Sequence, residues 1–118
     1  MISKGSGVIL NINSGAGKAG FSNLSAYCAS KFGLVGLAES LALEVNEYEN
    51  IRVLTIFLGE VATKMWQDFD QSYYEKNKKR MLDSHNVAEK IADMIFDTKN
   101  YKNGDSLEMY NLNTFATG

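Results

Sequence analysis

Short apolar runs alternate along this chain with longer segments whose apolar residues recur at helical spacing, and that alternation predicts an α/β fold on a parallel sheet. Three observations carry the prediction. Gly7 to Ile12 and Arg52 to Phe57 are short, nearly uninterrupted apolar runs, the pattern of strands covered on both faces. A helical pattern from about Ala26 to Val45 separates them, and a second helical pattern precedes a last short strand. About three strands and two to three helices are therefore expected. With no repeat and no linker, residues 1–118 read as one unit.

The first strand is closed by the turn-forming segment Asn13-Ser14-Gly15-Ala16-Gly17, which leaves Ser14 at its carboxyl end. Open α/β sheets bind their ligands at that end. In the helix that follows, Leu34, Leu37, Leu41 and Val45 recur at steps of three and four and are expected to form the core stripe. Gly33 and Gly36 each cost about 1 kcal/mol against alanine in a helix interior, so close packing against a sheet or a second subunit is expected there. The second strand ends at Leu58-Gly59. Beyond it, Met65, Trp66 and Phe69 form an apolar cluster, for which a core stripe is one reading. The next helix is expected to begin near Asn86, with Asn86 and Glu89 as a capping-box-like pair and Val87, Ile91, Met94 and Ile95 as its apolar face. Gly104 to Asn111 then reads as a turn into the last strand. Left without a neighbour, the edge from Val8 to Ile12 invites pairing.

Chemistry is suggested by Ser14, Tyr27 and Lys31. Tyr27 and Lys31 lie four residues apart in the predicted helix, so their side chains share a face. A free tyrosine, with a pKa of about 10, is a poor acid or base at neutral pH. A nearby cation favours phenolate and makes the phenol useful for proton transfer. Ser14 would then hydrogen-bond a substrate oxygen where negative charge grows as a hydride arrives. The Tyr-x-x-x-Lys spacing alone is common: six tyrosines and ten lysines in 118 residues give about half a match by accident. Tyr74 and Lys78 are such a match, in the polar stretch Gln71 to Arg80, which reads as a solvated helix face.

Other motifs are weaker. Gly15-Ala16-Gly17-Lys18-Ala19-Gly20 spells G-x-G-x-x-G after a strand. A dinucleotide fingerprint also needs a helix opening within the glycines and an acidic residue about twenty positions on, ending a second strand. Neither is expected, because Phe21 to Ser25 is turn-like and Glu39 and Glu44 lie in a helical pattern. A flexible loop beside a substrate is the better reading. Cys28, the single cysteine, reads as a small packed thiol, and the lone His85 as a helix-entry residue without metal-ligand spacing. With 45% hydrophobic and 22% charged residues and a net charge of −2, nothing implies a nucleic-acid partner. No apolar run approaches the roughly 18 residues of a membrane span, and no charged segment with an apolar core follows Met1. A cytoplasmic protein is expected.

Three blocks in order, Asn11-Ile12-Asn13-Ser14-Gly15, Ser25 to Leu34 with Tyr27 and Lys31, and Gly59-Glu60-Val61-Ala62-Thr63, resemble the short-chain dehydrogenase/reductase family in its classical subgroup. The thirteen-residue step from Ser14 to Tyr27 is also the step this family uses between its catalytic serine and tyrosine. The resemblance implies that Ser14 orients a carbonyl, Tyr27 passes the proton, and Lys31 lowers the tyrosine pKa while holding the nicotinamide ribose. It implies that Gly59, Val61 and Thr63 line the nicotinamide side of NAD or NADP. The region of Met65, Trp66 and Phe69 covers the substrate in this family. The fold implied is the carboxyl-terminal part of a doubly wound, Rossmann-type sheet.

The sequence departs from the family in two respects. No Gly-rich strand–turn–helix of the kind that cradles a pyrophosphate precedes Gly7, so residues 1–118 are expected to be the catalytic half of a domain without its dinucleotide-binding half. Leu58 stands where the family commonly has proline, which is expected to loosen the turn without abolishing it. Two functional classes follow. One is an NAD(P)-dependent oxidoreductase acting on a small carbonyl or secondary alcohol, as a homo-oligomer or with a complementing amino-terminal half. The other is a cofactor-free remnant that serves only as a dimerisation or binding module.

Overall fold

The computed structural model describes residues 1–110. Three parallel strands, β1 (Ser6–Ser14), β2 (Asn50–Leu58) and β5 (Ser106–Met109), form a sheet in the order β1-β2-β5. β1 and β2 run in register from Ser6 opposite Asn50 to Ser14 opposite Leu58, and β5 joins from Thr55 opposite Ser106 to Leu58 opposite Met109. As the central strand, β2 is buried from Ile51 to Phe57, which explains why its run is apolar apart from Arg52 and Thr55. Among the described residues β1 pairs on one side only, so the open edge expected from the sequence is present. Asn111, placed at the end of the last strand by the sequence, lies outside the described residues.

Side chains alternate across the sheet, and each face has its own helix. Helix α1 (Ser25–Glu44) lays Ala38 and Ala42 on Val53, with Ile9, Leu41 and Val45 around them. Helix α4 (Ser84–Phe96) puts Met94 and Ile91 against Leu54, Ile56, Val8, Leu10 and Leu107 on the opposite face. This two-sided covering is the doubly wound arrangement that the resemblance implies, on the parallel sheet that the alternation predicts.

Three local expectations are corrected. In α1 the buried stripe runs through Leu34, Ala38, Leu41 and Val45, with Ala42, while Leu37 is 53% exposed. Apolar residues surround this helix, so steps of three and four fit two phases; the alanines win because their small side chains let the helix approach the sheet. Gly33 and Gly36 are exposed, with no atom within 4 Å of where a Cβ would stand, so packing against this sheet does not account for them. Helix α4 begins two residues before Asn86, and its cap is Asp83, whose carboxylate accepts the Asn86 amide at 3.1 Å. Glu89 pairs with His85 instead.

Between β2 and α4 the chain forms features too short to predict. A two-residue parallel ladder joins β3 (Val61–Ala62) to β4 (Leu82–Asp83), and the segment between them holds α2 (Lys64–Phe69) and α3 (Gln71–Asn77). Met65 and Phe69 are exposed in α2, so the Met65, Trp66 and Phe69 cluster is not a core stripe.

Candidate active site

The carboxyl end of the sheet gathers the three sequence blocks. Ser14 is the last residue of β1, and its Oγ accepts the Ala16 amide at 3.1 Å, starting a single 3-10 turn over Gly15–Gly17. Ala16 and Gly17 are buried, so the first part of the expected flexible loop is a fixed turn. Lys18 then pairs with Glu108 of β5 and lies over the Phe57 ring at 4.6 Å. Only this single 3-10 turn opens within these glycines; α1 begins at Ser25, so the α-helix that a dinucleotide fingerprint requires does not start there.

Asn13, 2% exposed, is the residue that sequence reasoning passed over. Its Nδ2 donates to the Lys31 carbonyl at 3.1 Å and its Oδ1 accepts the Ser14 amide at 2.7 Å, tying the end of β1 to the first turns of α1. A polar residue in an apolar strand was the only available signal. Gly17 sits against this amide: a Cβ there would stand 2.6 Å from Asn13 Oδ1. Because both ends of the amide are engaged, it cannot swing away. Gly17→Ala is expected to destabilise the protein by about 1–3 kcal/mol in urea unfolding. The added cost should shrink in an Asn13→Ala background, where the obstructing amide is gone.

Tyr27 and Lys31 occupy the first two turns of α1. Lys31 Nζ lies 5.7 Å from the Tyr27 ring centroid and donates to the Ile12 carbonyl at 3.3 Å, so the ammonium bridges the tyrosine and the strand that ends in Ser14. Tyr27 is 45% exposed, leaving its ring open to a ligand. Cys28, its neighbour, is a buried free thiol, as expected.

The third block follows directly from the strand register. Leu58 is opposite Ser14, so Gly59 leaves the sheet beside the serine, with its amide bonded to the Met109 carbonyl at 2.9 Å. Val61 lies in β3, and Thr63 precedes α2, its carbonyl accepting the Trp66 amide. Among the described residues no group of three metal-binding side chains occurs, and no helix is long and apolar enough to cross a membrane.

The stretch Gln71 to Arg80 is more than a solvated face. Tyr73 donates its hydroxyl to Glu60 and accepts from Arg80 at 2.8 Å, while Arg80 pairs with Glu60 at 2.7 Å and bonds Asn77 at 3.0 Å. The Glu60 hydrogen bond, followed by burial and the Glu60 charge, raises the Tyr73 pKa above its ordinary 10.0, against a smaller opposing pull from Arg80. The partners come from the strap and from two separate turns of the helical segment, at no regular spacing, which hid the cluster. Tyr74 and Lys78, the accidental spacing match, stay in this outer region, where Lys78 pairs with Glu75.

Comparison with known proteins identifies the family and the fold. The family model described as short chain dehydrogenase matches residues 1–73. A trans-4-hydroxycyclohexanecarboxylate dehydrogenase from Sinomonas cyclohexanicum is 32% identical over 101 residues, covering 86% of this chain and 39% of that protein. Among solved structures, sorbitol-6-phosphate 2-dehydrogenase from Erwinia amylovora matches with a TM-score of 0.77 and 34% identity, over 92% of this chain and 49% of that one. An actinorhodin polyketide ketoreductase with NADPH matches with a TM-score of 0.73 and 27% identity, over 92% of this chain and 47% of that one. The chain spans about two fifths of the length of the curated relatives it matches. The family match takes in the strand ending in Ser14, the helix bearing Tyr27 and Lys31, and the strap through Thr63, and this chain belongs to the short-chain dehydrogenase family.

Proposed function

We propose that residues 1–118 are the catalytic half of an NAD(P)-dependent oxidoreductase that interconverts a small carbonyl compound and a secondary alcohol. The observation that carries this reading is the placement of Lys31 Nζ between the Tyr27 ring and the carbonyl of Ile12, two residues before Ser14. Ser14 hydrogen-bonds the substrate oxygen and holds it where charge develops. Tyr27 gives a proton to that oxygen during reduction and takes it back during oxidation, with the ammonium of Lys31 beside its ring. Lys31 also hydrogen-bonds the nicotinamide ribose, and Gly59, Val61 and Thr63 line the nicotinamide side. NAD or NADP, when bound, supplies or accepts the hydride.

The dinucleotide-binding half of the domain, in this reading, is contributed by another stretch of polypeptide that pairs with the open edge of β1. The NADPH-holding neighbour and the dehydrogenase relatives support the cofactor class. The exposed side of α1, which carries Gly33, Gly36 and Leu37, is the surface we assign to contact with a second copy or with that half.

The test is the oxidation of a panel of secondary alcohols with NAD or NADP, followed by the absorbance of the reduced nicotinamide. Turnover that disappears in Ser14→Ala is the expected result. Turnover equal in Ser14→Ala and the parent would remove this assignment of the site.

A further inference from the structure

We infer that Asn13 is a positioning residue for the proposed reaction, its single side-chain amide fixing the backbone of Ser14 against the turn of α1 that carries Lys31. The catalytic half of this inference rests on the proposed oxidoreductase reading; the tie itself does not.

Two hydrogen bonds cross between β1 and α1 in opposite senses. Asn13 Nδ2 donates to the Lys31 carbonyl at 3.1 Å, and Lys31 Nζ donates to the Ile12 carbonyl at 3.3 Å. A side chain of the strand thus holds the backbone of the helix, while the backbone of the strand holds a side chain of the helix. The other end of the Asn13 amide turns back on its neighbour, with Oδ1 accepting the Ser14 amide at 2.7 Å. Ser14 is held a second time at Oγ, which accepts the Ala16 amide at 3.1 Å. That bond uses an acceptor site of the hydroxyl and leaves its proton for a substrate oxygen.

The tie has one geometry. Asn13 is buried, so water has little access to either bond, and an amide with both ends engaged cannot flip without losing both. Gly17, also buried, stands against Oδ1 and closes the space into which the amide would turn. Tyr27 lies one helical turn before Lys31, so the turn that Asn13 holds is the one that follows the tyrosine. A hydroxyl that meets developing charge acts through its placement, and a shift of Ser14 relative to α1 slows the chemical step more than it weakens binding.

An amide is needed because it accepts and donates at once. Asn13→Asp keeps the shape and the acceptor for Ser14 but has no proton for the Lys31 carbonyl when ionised, and Asn13→Ala removes both bonds. The tie is read in the parent by nuclear magnetic resonance. The side-chain amide protons of Asn13 are expected to exchange with solvent at least about tenfold more slowly than those of the exposed Asn46. In Asn13→Ala the backbone amide of Ser14 is expected to exchange faster by a similar factor. Asn13 side-chain protons that exchange as fast as those of Asn46 would overturn the inference without recourse to any variant.

In the oxidation assay, kcat is expected to fall about ten- to hundredfold in Asn13→Asp, with KM for the nucleotide within about twofold of the parent and the far-ultraviolet circular dichroism unchanged. Sucrose, which favours the folded state, is not expected to restore kcat. Parental kcat in Asn13→Asp, or its recovery in sucrose, would overturn the positioning role, and the proposed function would stand if turnover is still lost in Ser14→Ala. Protected Asn13 protons in a protein that oxidises no alcohol would overturn the proposed function and the catalytic half of the inference together, so the two failures are distinguishable.

Discussion

Tyr27→Phe is expected to lower kcat for hydride transfer by about 10²–10⁴, the range general acid–base catalysis by a positioned side chain contributes. The substitution keeps the ring beside Lys31 and removes only the hydroxyl, so folding should be unaffected. Tyr27 is 45% exposed and its side chain lies outside both packed core clusters. KM for the alcohol should change much less than kcat, because the proton is transferred in the transition state and Ser14 still binds the oxygen. Steady-state rates with the parent and the variant in the same preparation measure this. A kcat within threefold of the parent would mean that the proton travels by another group.

Arg52→Ala is expected to produce the largest loss of stability, about 2–4 kcal/mol in urea unfolding. Arg52 is only 7% exposed, on the central strand, and its guanidinium donates to the carbonyls of Met94, Ile95 and Tyr101. It therefore satisfies the carboxyl end of α4, where the helix dipole favours a cation. Alanine leaves these carbonyls without their donor and removes the side chain that ties β2 to α4. Arg52→Lys keeps the charge but replaces the planar fork with a single ammonium, so it should recover part of the loss. Equal stability of parent and Arg52→Ala would show that water or a relaxed loop satisfies those carbonyls instead.

Arg52 also shows where sequence reasoning stops. The strand around it was legible because Val53, Leu54, Ile56 and Phe57 are apolar, but nothing in the sequence pairs an arginine with carbonyls more than forty residues away. The position of Ser14 at the end of β1 and of Tyr27 and Lys31 on one face of α1 was legible for the opposite reason: these spacings are local. Asn13 stands beside Ser14 yet acts on Lys31, so its role emerged only with the tertiary contact. Glu60, Tyr73 and Arg80 were hidden in the same way. In α1 the failure was one of phase, since Leu37 and Ala38 both fit a helical step and side-chain size decided between them. The Asp83 cap was missed because the two residues of β4 run directly into α4, leaving no loop to mark the boundary.

The central claim is that Tyr27, Lys31 and the Gly59–Thr63 strap form the nicotinamide–ribose end of a cofactor site. Its most direct test is a titration of the 118-residue chain with NADH and NADPH, following energy transfer from Trp66, which lies in α2 just beyond the strap. Saturable transfer is predicted, with affinity at least tenfold weaker in Lys31→Ala, because charge-assisted hydrogen bonds contribute about 1.5–3 kcal/mol. Transfer that saturates with the same affinity in Lys31→Ala as in the parent would contradict it.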